Sequence, residues 1–227
     1  MEAMNAVDVW VASHSDLASR FDEFEKILSE DERARVDRFK IEEARTTFLA
    51  GRGMLRTILA GYGSEAPGDL RFRYGPKGKP EISGGVHFNL SHSRDLIACA
   101  VSTDREIGID IQEVRPDFDY ESMARRFFSP RETESLLSLP VDQQRRAFFN
   151  GWTRKEAYVK AWGGDVAEQL RKIDVSLVPG DPPALLEDRR NPAAPSEWVI
   201  ESLDLAPDFS AALAVPGPRP SLNYRVL

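Results

Sequence analysis

The chain is short of several things that would point to particular classes of protein. It has one cysteine, Cys99, so no disulfide can close within it. That cysteine sits in the apolar run Leu96–Val101, where a buried, reduced thiol is expected. No run of lysines and arginines interrupts an overall charge of −7, and a nucleic-acid surface is therefore not favoured. No apolar stretch approaches the ~20 residues that span a bilayer, so no membrane association is expected. Residues 1–16 lack the basic and apolar segments of an export signal, and the cytoplasm is the expected compartment. A Gly-x-x-x-x-Gly-Lys-[Ser/Thr] loop is also missing, which counts against the commonest nucleotide hydrolases.

What is present is enough for a packed α+β protein. With 41% hydrophobic residues, the 227-residue chain can bury a core as one domain or as two small packed ones. Residues 7–11 alternate as a strand, and 15–28 read as an amphipathic helix. Ser29 with Glu32 forms a capping-box pattern, and a long helix follows at about 42–61. A Gly/Pro-rich loop leads to strands at 86–90 and 95–102. The turn at 103–106 then carries the chain into Ile107–Val114, expected to pair antiparallel with the strand before it. Helices are expected up to Phe128, from Ser129-Pro130 onward, and over roughly 142–162, the last ended by glycines. Three strands follow in the C-terminal tail.

An internal echo runs through this pattern. Arg45, Phe48, Gly51 and Gly63 match Arg145, Phe148, Gly151 and Gly163, and Tyr62 matches Trp162. Two halves of similar build are expected, 1–115 and 116–227, with a site between them drawing residues from both.

Four stretches carry chemistry. Along the first long helix Arg45, Arg52 and Arg56 fall on one stripe, either a solvated face neutralised by Asp37, Glu42 and Glu43 or a phosphate grip. Lys77 and Lys79 lie in a glycine-punctuated loop, and Ser91-His92-Ser93 follows a strand; His92 is either a surface turn histidine or an anion donor. In the second long helix Glu156 and Lys160 are four residues apart, an ordinary surface pair unless the aromatics Phe149 and Trp152 bury them. In Ile107–Val114 the isoleucines share one face, and Gly108, Asp110 and Gln112 share the other, with Gly108 expected to leave room for a ligand. Asp110, Gln112 and Glu156 together are oxygen donors suited to Mg²⁺.

In order and spacing, Gly78-Lys79-Pro80, Phe88–Ser93, Gly108–Gln112 and Phe148–Gly163 resemble the 4′-phosphopantetheinyl transferases of the surfactin-synthetase-activating type, and the likeness runs from about Val7 to Val215. The resemblance implies an α+β fold of two halves related by a pseudo-two-fold, with the active site between them. It implies transfer of phosphopantetheine from coenzyme A to a serine of an apo acyl or peptidyl carrier protein, with Mg²⁺ (Mn²⁺ as alternative) and release of adenosine 3′,5′-bisphosphate. On the matching motifs it makes Asp110 and Glu156 metal ligands, with Gln112 standing where the family often has Glu. It makes Glu156 the activator of the carrier serine and Lys160 a stabiliser of the leaving group. Lys79, Ser91, His92 and Arg52 fall at coenzyme A contacts, and Arg45, Arg56 and Lys155 are assigned to the same ligand. A monomer is expected. The alternatives are a Mg-dependent nucleotide hydrolase and a carrier- or nucleotide-binding module without turnover.

Overall fold

The computed structural model describes residues 5–227; the first four residues of the N-terminal segment discussed above lie outside them. Strand β1 (Ala6–Ser13) leads through α1 (His14–Leu17) into α2 (Phe21–Ile27), α3 (Glu30–Val36) and the long α4 (Glu42–Ala60). A small hairpin, β2 (Arg73–Tyr74) and β3 (Pro80–Glu81), precedes β4 (His87–Ser93) and β5 (Leu96–Ser102). The second series is β6 (Gly108–Glu113), α5 (Tyr120–Phe127), α6 (Pro130–Leu137), the long α7 (Val141–Ala161) and α8 (Val166–Gln169). It continues with β7 (Ile173–Val175), β8 (Leu185–Asp188), α9 (Ala194–Glu197), β9 (Trp198–Leu203), β10 (Phe209–Pro216) and β11 (Ser221–Val226). The expected helix over 15–28 is interrupted by a 3₁₀ turn at 18–20, while Leu17, Phe24 and Leu28 still share the buried side.

Two sheets carry the fold, ordered β11-β1-β5-β4 and β6-β10-β9. Without β11 they have the same plan: an opening strand at one side, the last strand in the middle, the remaining strand beyond it, all antiparallel. Here the structure departs from two expectations. β6 does not pair with β5, because β1 and β4 already occupy both edges of β5. β6 crosses instead to β10, with Asp110 opposite Ala212. The halves therefore change over at the 103–107 turn rather than at Arg115, and β11 returns to lie parallel to β1, so 1–115 and 116–227 do not separate the two sheets.

Hydrophobic patterning sets the layers. Leu49, Met54, Leu55 and Ile58 of α4 join one core with Phe24, Phe88, Ile97 and Cys99. Burial pushes the Cys99 thiol up to about 12, which keeps it inert. Val7, Val9, Ala98 and Ala100 of the first sheet meet Ile107, Ile109, Ile111, Leu213 and Val215 of the second. The far side of the second sheet is covered by the C-terminal part of α7 through Ala157, Tyr158 and Ala161. The order is helices, sheet, sheet, helices. Burying the isoleucines of β6 between the sheets turns Asp110 and Gln112 toward α7.

Candidate active site

The first sheet ends at β4 and the second begins at β6, and these edges meet through side chains. Asn89 Oδ1 accepts from Ile109 N–H (2.9 Å), Ser91 Oγ from Ile111 N–H (3.3 Å) and Ser93 Oγ from Glu113 N–H (3.0 Å). The alternate polar residues of Phe88–Ser93 thus satisfy the strand N–H groups that β10 leaves unpaired. Leu90 and His92 point the other way, toward α4.

At this seam Asp110 is fully buried. Its Oδ1 accepts from Ser91 Oγ at 2.8 Å and from Lys160 Nζ at 2.5 Å, and its Oδ2 from Gln112 Nε2 at 3.3 Å. Lys160 also meets Glu156 Oε2 at 3.2 Å and Ser91 Oγ at 3.4 Å. Trp152, Glu156 and Lys160 recur every fourth residue along α7, so one face of the helix presents all three. Burial, and then the neighbouring Asp110 carboxylate, push Glu156 up to about 7, against the opposing pull of Lys160 and a hydrogen bond from Trp152. Burial works against the Lys160 charge, but the Asp110 and Glu156 carboxylates outweigh it and hold Lys160 above its ordinary value. Asp110, Gln112, Ser91, Glu156 and Lys160, picked out from separate stretches, are therefore brought together. Gly108 does not provide ligand room: a Cβ there would run into the Ala157 carbonyl and the Ala161 nitrogen, so glycine lets β6 lie against the α7 backbone.

Beside the seam, between α4 and β4, opens a cleft of about 770 Å³, within the range of cofactor sites. Phe48, Leu55 and Leu90 give it apolar walls, and Arg35, Arg52, His92 and Arg94 line it with cations or potential cations. The Arg52 guanidinium lies over Phe72 (4.8 Å), its Nε is 3.3 Å from Glu32, and its buried Nη1 finds no hydrogen-bond partner among the described residues. His92 is exposed at the cleft; the protein packed about it, and then the Lys160 charge, hold it below its ordinary value. The sequence reading missed Arg35 and Arg94. Arg94 directly follows the Ser91–Ser93 motif, a signal that was available, whereas only the packing of α3 against α4 brings Arg35 here.

Four assigned residues stand elsewhere. Arg56 is buried and spends its donors on Glu32 Oε2 (2.7 Å) and the carbonyls of Pro67 (2.7 Å) and Leu70 (3.2 Å), so it braces the core and does not reach the cleft. Lys155 is fully buried against Glu132, turned away from the Glu156 and Lys160 face of α7. Arg45 pairs at the surface with Glu25 (2.6 Å) and Glu42 (3.3 Å). Lys79 turns its ammonium to Glu106 and to the end of α7. Lys77 is a surface residue near Asp165 and Glu168.

Comparison with known proteins agrees with this division. Residues 10–104 match the model "4'-phosphopantetheinyl transferase, N-terminal", and 106–214 match the "4'-phosphopantetheinyl transferase superfamily" model. The two meet at the turn where the sheets change over. The 4'-phosphopantetheinyl transferase HetI of Nostoc sp. is 44% identical over 218 residues, covering 93% of this chain and 88% of that protein. The 4'-phosphopantetheinyl transferase psf-1 of Bacillus pumilus is 29% identical across 98% of this chain and 93% of its own. The 4'-phosphopantetheinyl transferase Sfp of Bacillus subtilis is 29% identical across 86% and 85%. A chain with this two-sheet plan, this buried acid pair and relatives matched over nearly their whole length belongs to the 4′-phosphopantetheinyl transferases.

Proposed function

We propose that the protein moves the 4′-phosphopantetheine group of coenzyme A onto a serine of an apo acyl or peptidyl carrier protein, with Mg²⁺, releasing adenosine 3′,5′-bisphosphate. The observation that carries the proposal is the buried cluster of Asp110, Glu156 and Lys160 at the seam, directly beside a cleft lined by cations in a protein of charge −7. Coenzyme A is strongly anionic and needs such a local field. Arg35, Arg52, His92 and Arg94 are placed to meet its phosphates, and the apolar cleft walls suit its adenosine.

Among the described residues no group of three or more His, Cys, Asp or Glu could hold a metal ion. Mg²⁺ is commonly held by one or two carboxylates, with waters and substrate phosphates completing its shell. Asp110 and Glu156, which already share the Lys160 ammonium, fit that donor set, and Gln112 adds a neutral amide. The ion, when bound, supplies charge neutralisation of the pyrophosphate. The chain's own residues do the rest. Glu156, with its carboxyl near neutrality, takes the proton of the carrier serine. The serine Oγ forms a bond to the phosphorus bearing the pantetheine, and the bond from that phosphorus to the bridging oxygen breaks, leaving the bisphosphate. Lys160 and Ser91 donate to the developing charge.

Intact-mass measurement of apo carriers incubated with coenzyme A and Mg²⁺ tests the reading. A carrier gaining phosphopantetheine, with bisphosphate in equal amount, is the expected result. Bisphosphate released without carrier points to a hydrolase, and bound coenzyme A with no modified carrier points to a binding module. None of the described helices is long and apolar enough to cross a membrane.

A further inference from the structure

Lys160 stands between the two acids of the seam. Its Nζ lies 2.5 Å from Asp110 Oδ1 and 3.2 Å from Glu156 Oε2, with Ser91 Oγ at 3.4 Å. The other oxygen of Asp110, Oδ2, accepts from Gln112 Nε2. Both oxygens of Asp110 and one of Glu156 are thus held by donors of the chain itself.

These groups differ in their freedom to move. Asp110 is fully buried on β6, and Ser91 and Gln112 fix its carboxylate. The Lys160 side chain is 25% exposed and carries its charge on a flexible four-carbon stem. It is also within electrostatic reach of the cleft, because its charge is felt at His92, one of the cleft residues. An ammonium group and a divalent cation cannot share the same carboxylate oxygens: like charges about 3 Å apart repel strongly in a poorly hydrated site. For the cation to take these oxygens, Lys160 has to leave them. An anion in the cleft gives the ammonium somewhere to go.

We propose that Lys160 gates the metal site: in the free protein its ammonium closes the oxygens of Asp110 and Glu156, and the pyrophosphate of coenzyme A draws it aside, so that the metal binds well only after the coenzyme. This rests on the transfer reaction proposed above, in which Lys160 donates to the developing charge; that role is the open position of the gate. Coupling between two sites is reciprocal, so the metal tightens coenzyme A by the factor by which coenzyme A tightens the metal.

Mn²⁺, which suits the same oxygen donors, is the probe, and its free concentration is read by electron paramagnetic resonance. Lys160→Met keeps the stem and removes the charge. Arg94→Met removes a cleft cation that pairs with Glu113 and touches neither acid. Without coenzyme A, Lys160→Met should bind Mn²⁺ about 10- to 100-fold more tightly than the wild type, and Arg94→Met less than about fivefold more tightly. Saturating coenzyme A, corrected for the Mn²⁺ it holds alone, should tighten Mn²⁺ more in the wild type than in Lys160→Met. Lys160→Met binding no more tightly than the wild type would overturn the gate. So would equal tightening in the two variants, which is a general field effect, or equal tightening by coenzyme A with and without Lys160. If Lys160→Met does not fold, Lys160→Gln is read instead against the same outcomes. A wild type that modifies no carrier refutes the transfer reaction, while the Mn²⁺ measurements, which involve no carrier, still decide the gate.

Discussion

In the first half Ser29 and Glu32 form the capping box of α3, and Glu32 then accepts from Arg56 of α4 at 2.7 Å. In the second half Ser129 and Glu132 cap α6, and Glu132 takes Lys155 of α7. Each pair is 100 residues apart (29 and 129, 32 and 132), the spacing that also relates Phe48 to Phe148 and Gly51 to Gly151. A cap residue has become the buried anchor for a cation of the following long helix in both halves. The difference lies in what each long helix does next. At the same spacing the counterpart of Arg56 is Glu156, so the position that braces α4 internally carries, in α7, a largely buried acid of the proposed site. Under the proposed function the first half provides the cleft wall and Ser91, and the second the acids and Lys160.

The comparison makes its largest demand on stability. Glu132→Ala leaves Lys155 buried without its carboxylate partner, and Glu32→Ala does the same to Arg56; each should cost about 3–5 kcal/mol in urea unfolding. If one glutamate is worth several kcal/mol and the other is dispensable, the two nodes are not equivalent and the parallel between the halves fails.

The next effect belongs to the second half alone. Gln112→Ala should lower turnover by about 10- to 100-fold, since it removes a neutral group hydrogen-bonded to Asp110. Gln112→Glu is the sharper variant: added charge beside the acid pair should lower the Mg²⁺ concentration giving half-maximal rate. An unchanged Mg²⁺ dependence with a lower Tm would remove this residue from the metal's surroundings.

A pH series separates the halves further. Glu156 is raised to about 7 from an ordinary value of 4.5. Between those values the folded protein holds a proton that the unfolded chain has lost, so this group lowers stability as pH rises from about 4.5 to about 7. Turnover, which needs the carboxylate, should rise over the upper part of that range. Glu156→Gln should remove this contribution to the fall in Tm. An identical Tm profile in the variant would show that Glu156 titrates normally.

The smallest effect is expected on α4. Arg45→Ala breaks only surface pairs, worth less than ~1 kcal/mol, and should leave coenzyme A affinity nearly unchanged. Arg52→Ala, which removes a cleft guanidinium, should weaken coenzyme A clearly more. Equal losses would mean that the arginine stripe acts as a unit, as the helical spacing alone suggests.

Much of the site could be read locally. The alternation in Ile107–Val114 places Asp110 and Gln112 on one face, the four-residue spacing does the same for Glu156 and Lys160, and both capping boxes are visible as Ser-x-x-Glu. What could not be read is pairing between distant segments. The partner of β6 depends on β5 having both edges filled, one of them by a strand nearly 90 residues earlier. The arginine stripe was legible as a stripe, but Glu32 pairs with both Arg52 and Arg56, and only the Pro67 and Leu70 carbonyls, from a later segment, hold Arg56 in the core while Arg52 lines the cleft. Gly108 illustrates the same limit: a glycine beside two polar residues suggests room for a ligand, and the room is filled by a helix that arrives 50 residues later. Ser29 and Glu32 were legible singly; their repetition at 129 and 132 gains meaning once both glutamates are seen to hold a cation from the next helix.

If the first half grips coenzyme A and the second carries out the transfer, one titration exposes the split: the single-turnover rate of carrier modification by Glu156→Gln, followed across coenzyme A concentration at saturating Mg²⁺ and carrier. The limiting rate should fall on the order of 10²- to 10³-fold, with the half-saturating concentration of coenzyme A close to that of the wild type. A limiting rate near the wild-type value, or a loss that lies mainly in coenzyme A half-saturation, would contradict the division of labour between the two halves.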